Sequence, residues 1–232
     1  MMLAHTWFGR ENGEIMKRLF AKSLIASLAA FAMSSASANL ITNPGFESGM
    51  AGWSFGGVSF VLPSNFIPTI VAYEGNNYAC LGCAPDDGIS GNATQNITLP
   101  GPGTYTFGGA FQFATSAAGG NFDQGQMSLF LSGIVNEVVG GDPNSFGGFS
   151  SCIGGAFVCS AWTTLSKTFV YSGVGPASIL VNVSMQDFTN GKPTVLYADA
   201  IHVEKVPEPS TLALLGAGLL ALGVMRVRRR TS

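Results

Sequence analysis

Tyr105, Phe107, Phe111 and Phe113 recur at alternate positions with Gly109 in the same row, and Thr104, Thr106, Gly108, Ala110 and Gln112 fill the places between. A period of two belongs to an extended strand; a helix would scatter those rings around its axis. The alternation returns at Ile179, Val181, Val183 and Met185, set against Ser178, Asn182, Ser184 and Gln186, with Leu180 the exception on the polar side. Met127, Leu129 and Leu131 form a third apolar row. One apolar and one polar face per strand predict antiparallel sheets packed on each other. Turn signals punctuate the strands at Pro44-Gly45, Pro63, Pro85-Asp86-Asp87-Gly88, Pro100-Gly101-Pro102-Gly103, Asp142-Pro143-Asn144 and Asn190-Gly191. No helical period and no internal repeat interrupts them. The expected fold class is all-β, a β-sandwich of jelly-roll type.

The two ends read differently. Met16-Lys17-Arg18-Leu19-Phe20-Ala21-Lys22 is a basic segment, Leu24 to Met33 is a short apolar run, and Ala36-Ser37-Ala38 is a small-x-small cleavage site. Together they predict a secretory signal over 1–38 and a mature N-terminus at Asn39. Glu11 and Glu14 do not suit such a leader, so Met16 is the expected start. At the other end Val206-Pro207-Glu208-Pro209-Ser210 leads into an uncharged apolar stretch over about 211–225, closed by Arg226, Arg228, Arg229 and Arg230. Fifteen to seventeen helical residues rise about 22–26 Å, at the short end of what a hydrocarbon core of about 30 Å requires. The arginines belong on the cytoplasmic side, which puts residues 39–205 outside the membrane.

Charge is segregated to match. Between Asn39 and Lys205 stand ten acids and three lysines. That acidic domain has no basic patch to neutralise phosphates, which excludes a nucleic-acid partner. Only 10% of the chain is charged, against 31 glycines, as suits an exported β protein.

Two resemblances follow from these residues. Pro207-Glu208-Pro209, the apolar span and the terminal arginines resemble the PEP-CTERM sorting signal of Gram-negative bacteria. The resemblance implies recognition by an exosortase, processing near Pro207 to Pro209, and delivery to the cell envelope or extracellular matrix; residues 206–232 would form that signal. The second resemblance covers most of the domain. Asn39-Leu40-Ile41-Thr42-Asn43-Pro44-Gly45-Phe46-Glu47 with Gly52-Trp53, then Glu74 to Ala79, Ala93 to Leu99, Gly103 to Phe107 and Tyr197 to Val203, resemble galactose-binding-like and carbohydrate-binding jelly rolls. It implies a structural Ca²⁺ tying the first and last strands together, with Glu47 and Asp199 as carboxylate ligands and main-chain carbonyls adding more. Asn43 and Glu74 are further candidates. By alternation alone, Asp199 shares a face with Val195, Tyr197, Ile201 and Val203, where an ionised carboxylate needs a cation or several donors. Hydrogen bonds from turn amides would satisfy it equally.

The four cysteines fall into two close couples, Cys80 with Cys83 and Cys152 with Cys159. Export makes disulfides the expected state, and pairing within each couple is the simplest of three connectivities. A redox-active C-x-x-C would need a βαβ setting that is missing here. Hydrolytic chemistry is poorly supplied. The histidines are His5, ahead of the export signal, and His202, and no G-x-S-x-G elbow occurs. Glu74, Asp86, Asp87, Asp123, Glu137, Asp142 and Asp187 stay open as a glycosidase pair, because spacing in sequence does not set their separation. Trp53, Phe55, Phe60 and Trp162 are candidates for stacking on sugar rings or for the core.

The expected function is that of a non-enzymatic surface or matrix protein in contact with exopolysaccharide. The alternatives are a dedicated carbohydrate-binding module and, third, a glycan hydrolase.

Overall fold

The computed structural model describes residues 38–207 apart from 68, 85, 117–122, 132–134, 142–145, 147–148, 154–156 and 189–191, together with 218. The expected signal up to residue 37, Glu208, Pro209 and, apart from 218, the apolar span 211–225 lie outside the described residues. Among the described residues no helix is long and apolar enough to cross a membrane.

Twelve strands are described: β1 (Ser54–Gly57), β2 (Ser59–Pro63), β3 (Asn77–Leu81), β4 (Gly91–Leu99), β5 (Gly103–Thr115), β6 (Gln124–Leu131), β7 (Val135–Gly141), β8 (Ser150–Cys152), β9 (Phe157–Cys159), β10 (Thr163–Tyr171), β11 (Ala177–Gln186) and β12 (Thr194–Lys205). They form two antiparallel sheets. The smaller runs β1-β4-β11-β6-β7; the larger runs β2-β3-β12-β5-β9-β8, with β10 also paired to β5. The fold is the all-β sandwich that the alternation predicts.

The aromatic row of β5 and the aliphatic row of β11 are both buried in the core between the sheets. Gly109 interrupts the aromatic row for a reason visible across the strand. β12 pairs with β5 in register up to Asp199 opposite Ala110, then shifts and resumes with His202 opposite Gly108. The extra residues bulge over Gly109, where a Cβ would stand 2.5 Å from Ile201 Cδ1 and 3.2 Å from the Asp199 carbonyl oxygen. A bulge inserts residues on one strand and bends it. Here it also changes the phase of β12. Val195 and Tyr197 pack in a second cluster with Tyr78, Cys80 and Ala114, whereas Ile201 and Val203 join the main core. The single face predicted for Val195, Tyr197, Asp199, Ile201 and Val203 is therefore two faces meeting at the bulge.

The N-terminal segment clamps this point. Asn39 Nδ2 donates to the Ile201 carbonyl and Asn39 Oδ1 accepts from the Val203 amide; Leu40 N–H reaches the Val203 carbonyl and Ile201 N–H the Pro44 carbonyl. Gln95 of β4 grips Thr42 through both halves of its amide, at 2.7 and 2.9 Å. Phe46, fully buried, packs tilted against Trp53 at 5.3 Å and edge-on to Phe55 at 6.3 Å between ring centroids.

Phe46→Ala is expected to cost about 3–5 kcal/mol of stability, the range for emptying a buried aromatic site. Denaturant unfolding at constant m-value checks it, and a loss under about 1 kcal/mol contradicts the clamp. Gly109→Val is expected to lower the melting temperature, because its side chain has nowhere to go beneath the bulge; an unchanged melting temperature contradicts the tight fit.

Candidate functional site

Asn43 turns back on itself with φ of 54°, a conformation asparagine tolerates better than most residues. Its side chain accepts from Ser48 N–H and donates to the Gly49 and Ala51 carbonyls, and its own carbonyl accepts the Trp53 indole N–H. The loop so built carries Gly45 to Asp199. A Cβ on Gly45 would lie 3.4 Å from both Asp199 Oδ1 and Glu74 Oε1, so two carboxylates flank the bare α-carbon. Asp199 is fully buried, and its oxygens accept from the Ala200 amide at 2.7 Å and the Glu74 amide at 3.1 Å. Burial pushes its pKa up to about 6; the amides oppose that rise and the Glu74 charge adds to it. Glu47 takes another role. Its Oε1 accepts the Asn76 and Asn77 amides, both at 2.8 Å, and those bonds hold this exposed carboxylate below its usual pKa. Of the two residues the resemblance pairs, Asp199 thus meets Glu74 around Gly45, and Glu47 caps the turn beside it.

Among the described residues no three or more His, Cys, Asp or Glu side chains gather as a metal site. Around Gly45 stand the carboxylate oxygens of Asp199 and Glu74, and carboxylate oxygen is the ligand type a hard cation takes. The buried Asp199 charge has the chemistry that such an ion would balance.

The aromatic candidates separate cleanly. Trp53 is 6% exposed and serves the core. Phe55 is half-buried against Phe46. Phe60, on the outer strand β2, is 48% exposed. Trp162 is half-buried, with its indole N–H on the Val71 carbonyl at 2.9 Å and its ring centroid 6.1 Å from exposed Tyr73. Tyr73 was missed in the sequence because it stands in an irregular segment, outside any alternating row.

A larger surface lies on the outer face of the smaller sheet. The register sets Gly56, Asn92, Ser184, Gln126 and Gly140 in one row across five strands, and Ser54, Thr94, Asn182, Ser128 and Val138 in the next. Asn96, Leu180, Phe130 and Asn136 form a third row; Thr98 pairs with Ser178 and Gln124 with Gln186. None of these side chains is charged. Glu137, between Asn136 and Val138 on β7, points the opposite way and pairs with Lys167 of β10 at 2.7 Å. Asn182 Nδ2 donates to Ser128 Oγ at 3.3 Å, and Phe130 is 53% exposed.

The remaining carboxylates are dispersed or buried. Asp86 is exposed and Asp87 accepts the Lys192 amide. Asp123 and Asp187 are buried, and Asp142 lies outside the described residues. His202 is half-buried, with Nδ1 3.4 Å from the Ala200 carbonyl oxygen. Both disulfides are closed, Cys80–Cys83 and Cys152–Cys159, with Cα separations of 5.7 and 5.8 Å. Cys80, Cys152 and Cys159 help pack the outer side of the larger sheet.

The last strand ends at Lys205, and Val206 N–H makes a bond to the Thr104 carbonyl before exposed Pro207. From that boundary, residues 205–230 match the PEP-CTERM protein-sorting motif. The chain is a β-sandwich domain followed by this sorting motif, which implies export, membrane anchoring before sorting, and processing by an exosortase. No curated protein matches the chain. Similar solved structures include the carbohydrate-binding module TmCBM61 in complex with β-1,4-galactotriose, at 19% identity and TM-score 0.49, covering 73% of this chain and 100% of that one. A family 16 carbohydrate-binding module is 20% identical at TM-score 0.43, covering 71% and 99%. The xylan-binding domain of family 22 is 16% identical at TM-score 0.36, covering 73% and 96%. These are likenesses of architecture.

The raised pKa of Asp199 has a definite sign. In chelator, the folded protein keeps a proton that an unfolded aspartate releases near pH 4, so stability falls as pH rises from about 4 to about 6 and stays lower above. Asp199→Asn is expected to flatten that part of the melting-temperature profile. An unchanged slope between pH 4 and 6 would show that Asp199 is not the titrating group.

Proposed function

We propose that this chain is a non-enzymatic surface or matrix protein of a Gram-negative bacterium, exported by its N-terminal signal, released near Pro207-Glu208-Pro209 by an exosortase, and in contact with exopolysaccharide. The observation that carries the polysaccharide contact is the charge-free outer face of β1, β4, β11, β6 and β7. Neutral sugars offer hydroxyl groups and apolar ring faces. Asparagine, glutamine, serine and threonine match the hydroxyls as both donors and acceptors, and Phe130 offers a ring. The domain's acids are elsewhere or turned inward, as Glu137 is toward Lys167. A contact of this kind carries no ion-release term, so it should tolerate salt.

Affinity electrophoresis of the folded protein in gels containing the producer's own exopolysaccharide tests this. Retardation is expected, unchanged at 0.5 M NaCl. Asn182→Arg, at the centre of the five-strand row, is expected to weaken it about tenfold or more. Equal retardation by Asn182→Arg would overturn this face as the contact. The Tyr73–Trp162 pair favours the second reading, a dedicated carbohydrate-binding module that stacks on sugar rings. Loss of binding in Tyr73→Ala, with Asn182→Arg unaffected, would select it.

The same reading includes a structural Ca²⁺ held by Asp199 with Glu74 around Gly45, and Glu47 fixing the adjacent turn. The ion would supply the positive charge that buried Asp199 lacks. A ligand bound by the folded state alone raises the melting temperature. Chelation is expected to lower it by several degrees at pH 7.5, and Asp199→Asn to reduce that drop; identical drops in both proteins would remove Asp199 as a ligand.

A further inference from the structure

Thr194, the first residue of β12, joins two buried carboxylates. Its hydroxyl donates to Asp123 Oδ2 at 2.5 Å, and its main-chain N–H donates to Asp187 Oδ2 at 3.3 Å. Asp123 immediately precedes β6 and Asp187 immediately follows β11, so antiparallel pairing brings them to the same end of the sandwich. Asp123 is fully buried and Asp187 is 6% exposed. A third acid, Asp87, comes from the β3–β4 connection; its Oδ1 accepts the main-chain amide of Lys192 at 3.1 Å, and its charge acts on Asp187.

Proton bookkeeping separates the two buried acids. Both Asp123 oxygens already accept, Oδ1 from the Phe188 amide at 2.9 Å and Oδ2 from Thr194. Asp187 has one oxygen on Thr194 N–H, but its Oδ1 is buried without a hydrogen-bond partner. The Ile89 amide lies near enough to oppose the rise in its pKa without closing a bond to Oδ1. If Asp187 is ionised, a second negative charge sits beside Asp123 with a bare oxygen. If it is neutral, a carboxylic proton on Oδ1 has no acceptor. Either state carries the cost of a buried polar group left unpaired. Burial, followed by the charges of Asp123 and Asp87, pushes the Asp187 pKa up.

A cation beside Oδ1 removes both faults. The neutral oxygens at hand are the hydroxyls of Thr194 and Thr115, 3.2 Å apart. We propose that Asp123 and Asp187, with the Thr194 and Thr115 hydroxyls, form a calcium site at the end of the sandwich, separate from the Asp199 loop. An all-oxygen set with two carboxylates suits Ca²⁺, whose coordination is flexible, better than Mg²⁺, which demands near-octahedral geometry. The site ties the start of β6, the end of β11 and the start of β12 into one knot. Gln124 and Gln186, next in chain to the two ligands, pair on the charge-free face, so the ion holds the edge of that surface in register.

The test uses the full-length chain in detergent, stripped with EDTA, desalted and titrated with CaCl₂ by isothermal calorimetry at pH 7.5. Wild type is expected to bind one more Ca²⁺ per chain than Asp187→Asn, and Asp199→Asn is expected to retain that ion, which keeps this site distinct from the one around Gly45. Asp187→Asn keeps an acceptor for Thr194 N–H and loses one buried charge. In EDTA it should therefore melt no lower than wild type, so lost binding cannot be put down to misfolding. Equal stoichiometry in wild type and Asp187→Asn overturns the proposal, as does a wild type that binds no calcium; Asp187 would then be neutral and hydrogen-bonded to a buried water. Crystals grown with TbCl₃ give an independent reading: an anomalous peak beside Asp187 Oδ1 supports the site, and peaks confined to the Gly45 loop refute it.

Discussion

The pairing of β12 with β5 is the constraint on which the other elements depend. β12 runs along the middle of the larger sheet between β3 and β5, and the N-terminal segment bonds to it at the bulge after Asp199 and just beyond, at Ile201 and Val203. A strand that kept one phase would send Ile201 and Val203 to the outer cluster and leave the core under Phe46 unfilled. Gly109 on β5 makes the bulge sterically allowed. The Asn43 to Glu47 loop then closes over it, held by side-chain amides acting as surrogate backbone.

Placement of charge follows from the same geometry. The sheets bury apolar rows on one side, so most of the described acids stand at strand ends, in loops or at the bulge, and Glu137 within β7 is paired to Lys167 of β10. At the bulge Asp199 is satisfied by two amides and flanked by Glu74; at the strand ends Asp123 and Asp187 share Thr194. Between them the outer face of the smaller sheet is amide and hydroxyl without charge. An acidic domain therefore presents a large neutral surface, which net charge alone conceals.

The larger sheet shows why aromatic content is a poor guide to a binding surface. Ile70 packs there in one cluster with Tyr78, Tyr197 and the Cys152–Cys159 disulfide that joins the edge strands β8 and β9. Tyr78 and Tyr197 are buried there, edge to face at 5.4 Å. Trp162 closes the side of this cluster, and Tyr73 beside it stays in solvent.

What the sequence determined by itself is whatever depends on near neighbours in the chain. Strand character at β5, β6 and β11 was legible because alternation is imposed by the backbone, residue by residue. The close cysteine couples and the Pro-Glu-Pro motif were legible for the same reason. Tertiary structure alone decided the rest. It put Glu74 rather than Glu47 across Gly45 from Asp199, broke the face of β12 in two, and joined polar rows from five strands into one surface. It also brought Asp123 and Asp187, 64 residues apart in number, onto one threonine. Those outcomes depend on register, which is settled by the summed packing of strands far apart in the chain, and no local pattern encodes that sum.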